Sequence, residues 1–250
     1  MRAPESVLVA RFVLFCRIGG CVMTAPGFSS ERISIRIKLY VALAVTVAVA
    51  PPLLAAIERE LAGASPLAIA SVIVSEVTIG ALLGLLSRLY FLALETLASA
   101  VTMTIGLGNI FAQAIHDSEP APSLAAFVVF CAITLVFVTD QHLELIRGMF
   151  LSYQTAPVGV SLGFDNMLSE MTRVLSQSHL LALRISSPFL LFGLIVNLAF
   201  GFLNRFTPQV PIYFVSGPFV IILGLYGLYV AGPDFFTAFS AQFGAWLVHG

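Results

Sequence analysis

The chain has 250 residues, of which 59% are hydrophobic and 10% charged, and its formal net charge is −1. That is too little charge to cover a soluble domain of this length, so lipid is the expected solvent. No Lys/Arg cluster is interleaved with aromatics, which removes the electrostatic footprint of a nucleic-acid binder. The fold class that remains is all-α and polytopic, with apolar runs at 7–25, 37–57, 67–105, 124–139, 180–203 and 212–231.

The first run looks at first like a secretory leader. Arg11 and Arg17 interrupt it where such a leader is clean, and no small-residue cleavage site follows, so it is expected to stay as a first helix. Six residues apart, the two arginines point in different directions on a helix, and snorkelling or pairing with another subunit is the expected role. Cys16, Cys21 and Cys131 all lie in apolar surroundings and read as small buried hydrophobes. Arg32, Arg36 and Lys38 make 29–38 the most basic connection, which argues for a cytoplasmic loop.

Pro51-Pro52 is expected to end the second run, and Pro66 to open the third. That third run is nearly twice the length of one bilayer crossing. It is either two spans joined tightly around Ser87-Arg88 or one long helix that leaves the hydrocarbon. Glu76, Arg88 and Glu95 lie within it, and charges at such depth are costly and functional by default. Arg88 and Glu95 share a helical face two turns apart. They serve either a proton or ion pathway, or contacts with neighbouring subunits and headgroups; the second reading is favoured, since a transporter aims more ionisable groups at one cavity. Gly80 and Gly84 form a small-xxx-small pair suited to close helix packing.

Gly106, Gly108, Ile110 and Phe111 fall in an apolar, glycine-containing loop before the short fourth run. The cluster Asp140-Gln141-His142-Leu143-Glu144 follows that run. Its His-x-Glu lacks the Pro-Cys-x-x-Cys half of a zinc deaminase, so a solvated helix end or turn is the expected reading. No metalloprotease, phosphate-loop or nucleophile-elbow motif occurs, and neither a catalytic activity nor a cofactor is expected. In the fifth run Gly193, Asn197, Gly201 and Asn204 fall on one helical face, favouring dense helix–helix assembly. Pro157, Pro208, Pro211, Pro218 and Pro233 read as later boundaries, with 235–248 as an aromatic interfacial tail helix after Gly232-Pro233.

The C-terminal third is the most specific part. Ser187-Pro188-Phe189 leads to Asn197-Leu198, Gly201, Arg205 and Pro208-Gln209, then to Gly217-Pro218-Phe219 and Gly224-Leu225. The pattern Asn-Leu-x-x-Gly-x-x-x-Arg-x-x-Pro-Gln resembles the flagellar biosynthetic protein FliR family, whose type III secretion counterparts are the T subunits of the export apparatus. Nearly the whole chain is similar to that family, including Phe15-Cys16-Arg17-Ile18, Pro26, the basic loop, Pro51, Gly80, Gly84, Ile105-Gly106, His142-Leu143, Ser152 and Pro157.

The resemblance implies one membrane-embedded unit over 1–250, with a FliP-like part to about 175 and a FliQ-like hairpin and tail from about 176. It implies an export-gate subunit in the bacterial inner membrane at the flagellar basal body. The implied partners are FliP, FliQ, the switch protein FlhB, the FlhA ring and unfolded export substrates. Gly106, Gly108, Ile110 and Phe111 would lie in the pore plug, where a ring of apolar side chains excludes water and ions. Gly193, Asn197, Gly201, Asn204, Arg205, Pro208 and Gln209 would be subunit contacts. One departure leaves the plug register open: His116-Asp117-Ser118-Glu119-Pro120-Ala121-Pro122 stands where many members carry Asp-Pro. The alternative of another class is a small-molecule or ion permease using Glu95 and Arg88.

Overall fold

The structure is a computed structural model that describes residues 4–30, 33–105, 124–159, 163–206 and 212–249. The described residues form seven helices and no strand: α1 (Pro4–Thr24), α2 (Ile35–Leu61), α3 (Pro66–Thr104), α4 (Leu124–Val138), α5 (Gln141–Thr155), α6 (Phe164–Phe206) and α7 (Ile212–His249). Among them, five helices are long and apolar enough to cross a membrane, and α4 with α5 makes a sixth candidate bent by 71°. The protein is therefore a polytopic helical membrane protein.

Helix starts follow local chemistry. Ser34 accepts from the Arg36 N–H at 3.3 Å ahead of α2, and Ser65 accepts from the Ala68 N–H at 3.3 Å ahead of α3. Both satisfy amides that a helix cannot bond internally. Pro66 occupies the first turn of α3, where its missing N–H costs nothing. Gly63, at φ 77°, takes the left-handed turn after α2 that a side chain would disfavour. Asp140 adopts the same region at φ 58°, and the chain turns there from α4 into α5. The solvated turn expected at this cluster is thus the corner of a broken helix pair.

Of the two alternatives for the 67–105 run, the single long helix is the one that forms, with 39 residues. Other boundaries differ from the sequence reading. Pro51 and Pro52 do not end α2, which continues to Leu61. Pro218 and Pro233 likewise lie inside α7, so 235–248 is not a separate tail helix. Each proline deprives one carbonyl a turn earlier of its donor. Ending the helix would leave several more backbone groups unsatisfied, and in an apolar environment the continuous helix is the better solution.

The chain divides into two compact units. The first contains α1, α2, α3 through Tyr90, α5, and α6 through Leu175. Its core joins Ala10, Leu14, Ile18 and Cys21 of α1 to Ala42, Ala50 and Ile57 of α2, with Met149 of α5. The second contains α3 from Phe91, α4, α6 from Ser176, and α7 to Trp246. Here Val101 and Ile105 pack with Phe189, and Phe91 meets the rings of Phe239 and Phe243 edge-on at 5.3 and 5.4 Å. The aromatics expected at a membrane interface are core instead, since Phe235, Phe239 and Phe243 are all buried. Cys16 and Cys21 are buried and Cys131 half-buried, and all three are free thiols.

Candidate functional site

The most polar point within an apolar surround lies in the first unit and is built from three helices. On α1, Arg17, Gly20, Cys21 and Thr24 share one face; on α3, Glu76, Gly80 and Gly84 do the same at four-residue spacing. The two stripes face each other. A Cβ on Gly80 would fall onto the Arg17 carbonyl, and one on Gly84 onto the Thr24 hydroxyl. From the other side, a Cβ on Gly20 would sit 2.7 Å from the Val77 carbonyl. Glycine is needed at these crossings because the backbones themselves are in contact. The small-xxx-small pair read from the sequence is thus used inside this chain.

That close approach delivers Arg17 to Glu76. Nε donates to Glu76 Oε2 at 2.7 Å and Nη2 to Oε1 at 2.8 Å, a two-pronged bond between side chains that are both 0% exposed. The remaining donors reach α5 and the residue after it. Nη1 donates to Ser152 Oγ at 3.1 Å, and Nη2 also to the Ala156 carbonyl at 2.9 Å. The Tyr153 ring lies 3.8 Å from the guanidinium carbon, and its hydroxyl donates to Glu76 Oε2 at 3.4 Å. Charge, hydrogen bonds and ring face are therefore all matched within one chain, which is what a desolvated ion pair requires. Chemically the arrangement is a clamp: it fixes α1, α3 and the end of α5 against one another.

The expectation of snorkelling or subunit pairing for Arg17 is overturned by this contact. Sequence reasoning had placed Glu76 with Arg88 and Glu95 because all three share one run. The structure separates them. Arg88 and Glu95 are exposed on α3 with Leu92 between them, and neither has an ion pair among the described residues. Tyr153 carries no distinct sequence signal, and Ser152 enters only through the family resemblance, without a role. A pairing of the two opposite charges deepest in apolar runs, each followed by a glycine three or four residues later, would have pointed to Arg17 and Glu76.

The C-terminal strip behaves differently. Gly193 is buried, and a Cβ there would collide with the Thr104 side chain. Asn197 donates to the Gly193 carbonyl of its own helix at 2.8 Å. Asn197, Gly201, Asn204 and Arg205 are exposed, and no atom lies within 4 Å of a Cβ built on Gly201. Leu194, Ile195, Leu198, Phe202 and Phe206 are exposed around them. Gly106, Gly108, Ile110, Phe111, Pro208 and Gln209 lie outside the described residues. No group of three or more His, Cys, Asp or Glu side chains among the described residues could hold a metal ion.

Comparison with known proteins agrees with this reading of class. The family described as "Bacterial export proteins, family 1" matches residues 8–246. A flagellar biosynthetic protein FliR from Caulobacter vibrioides is 31% identical over 224 residues, covering 88% of this chain and 86% of that protein. One from Escherichia coli is 28% identical over 211 residues, covering 84% and 78%. One from Aquifex aeolicus is 26% identical over 246 residues, covering 96% and 91%. The chain belongs to the FliR family of flagellar biosynthetic proteins, within the bacterial export proteins.

Proposed function

We propose that this chain is a non-catalytic subunit of the flagellar type III export gate in the bacterial inner membrane. In this reading it assembles with FliP and FliQ, meets FlhB and FlhA type proteins, and helps form the channel for unfolded flagellar proteins. The observation that carries the reading is the family match over residues 8–246, which takes in every described helix almost entirely. Two physical features support it. α3, α6 and α7 are 39, 43 and 38 residues long, well beyond the 20 or so that cross a bilayer. In the C-terminal half of α6 the apolar side chains of Leu191, Leu194, Ile195, Leu198, Phe202 and Phe206 are also exposed, as on a helix awaiting neighbours.

Within that assembly the part to about 175 is FliP-like and the rest FliQ-like, and the loop holding Ile110 and Phe111 closes the pore as an apolar plug. Deleting the gene from its source bacterium should abolish secretion of flagellar hook and filament proteins, and restoring it should bring secretion back. Unchanged secretion after deletion would rule the reading out. For the plug, Phe111→Ala should make membranes bearing the assembled gate leak ions. No added leakage would remove Phe111 from that role.

A further inference from the structure

Two cavities of the first unit run into one another. The mouth, of about 670 Å³, lies where α1 and α3 begin and α2 ends, and is lined by Ser6, Glu58, Arg59 and Gly63. Beyond it a groove of about 910 Å³ passes along Phe12, Phe15, Val47, Leu54 and Ile73, with Arg11 in its wall. Val9 and Ile69 line both, so the two make one continuous space, polar at one end and apolar along the rest.

Arg11 and Arg59 are exposed, and neither has an ion pair among the described residues, whereas Glu58 is engaged in an interaction of its own. Arg11 lies five residues inside the Ser6 end of its span candidate, about 8 Å along the axis. Helical side chains lean toward the N-terminus of their own helix. Arg11 therefore leans outward to the mouth, within snorkelling reach of the headgroups. Arg59, on a helix running the other way, leans inward, and its Nε donates to the Ala55 carbonyl one turn inside at 3.0 Å. The two guanidiniums are thus aimed at the junction of mouth and groove.

Length and charge say what fits there. On α2 the groove runs from Leu43 to Leu54, eleven residues or about 16 Å. That is about half of a hydrocarbon layer of some 30 Å: the depth of one leaflet, and short for a helix that crosses both. At the hydrocarbon edge a forked guanidinium is suited to a phosphate. A phosphate joined to a chain one leaflet deep is a phospholipid. Two cations facing the single charge of a phosphodiester favour a headgroup without an ammonium of its own, as in phosphatidylglycerol.

We propose that this cavity binds one anionic glycerophospholipid, its phosphate held between Arg11 and Arg59 and one acyl chain lying along the groove. The site goes beyond the export-gate reading and does not depend on it, since it needs only the bilayer.

Native mass spectrometry of the full chain in mild detergent, titrated with phosphatidylglycerol or phosphatidylethanolamine of the same acyl chains, tests it. One phosphatidylglycerol should be retained, and about tenfold less phosphatidylethanolamine. Arg11→Gln with Arg59→Gln should cut retained phosphatidylglycerol about tenfold or more, while Arg11→Lys with Arg59→Lys should keep most of it. Val47→Trp, which fills the groove and leaves both cations in place, should lower retention as well. Where the double Gln variant gives no monodisperse protein, Arg59→Gln alone, at an exposed helix end, should show a smaller loss of the same kind. In membranes of expressing cells, p-benzoylphenylalanine in place of Phe12 should capture phosphatidylglycerol above its share of the lipid. Unchanged retention by the Gln or Trp variants, equal retention of the two lipids, or capture of a protein helix at position 12 would each overturn the proposal.

Discussion

Arg17 and Asn197 are both polar residues on otherwise apolar helices, and their surroundings are opposite. Arg17 is 0% exposed and every direction of its guanidinium is occupied by α3, α5 or the Tyr153 ring. Asn197 is exposed, reaches only the carbonyl one turn behind it, and sits among uncovered leucines, isoleucines and phenylalanines. The contrast separates two uses of polarity in a membrane. Where the chain supplies its own partner, the polar group holds the fold. Where it does not, the group stays exposed on an apolar face.

The comparison can be broken at its first term most severely. Glu76→Leu leaves the guanidinium buried with no counter-charge and should cost about 3–5 kcal/mol, seen as a collapse in monodisperse yield and melting temperature in mild detergent. Arg17→Leu combined with Glu76→Leu should recover most of that loss, because paired charges exchange for apolar side chains at little cost. A double variant as unstable as the single would show that the two groups are not coupled. Next comes Gly80→Leu, which drives a side chain into the α1 backbone and should cost about 1–3 kcal/mol. Tyr153→Phe keeps the ring over the cation and loses one long hydrogen bond, a deficit of about 0.5–1 kcal/mol by thermal melting.

The second term of the comparison should barely register in the isolated subunit. Asn197→Leu and Gly201→Leu are expected to change its stability by less than about 0.5 kcal/mol, yet lower the yield of assembled complex several-fold. Equal yields of complex would remove the strip from subunit contact. A marked loss of stability in the isolated chain would move it into the same class as Arg17.

Much of this was legible in the sequence and some was not, for physical reasons. The start of α3 at Pro66 and the end of α5 before Pro157 were readable because proline and capping residues act locally. Reading Pro51, Pro52, Pro218 and Pro233 as boundaries failed, since that rule assumes water is at hand to take up the released carbonyls. In α2 and α7 it is not, and the helices run on. Gly80 and Gly84 were legible as a packing pair, whereas their partner α1 was not, because spacing along one helix says nothing of which helix lies opposite. The Arg17–Glu76 bond spans 59 residues of sequence. It was hidden by grouping charges according to the run they share, when the relevant neighbour stood on another helix. The unused faces near Asn197 and Arg11 were visible as anomalies of charge or amide in apolar runs, and only the structure divides them from the satisfied one at Arg17.

The most direct test is native mass spectrometry of the tagged chain, purified in mild detergent after expression with its neighbouring genes. A complex containing one copy of this chain with several copies of small helical subunits is the predicted result. A lone monomer or a homodimer, with those subunits present in the same membranes, would contradict the account.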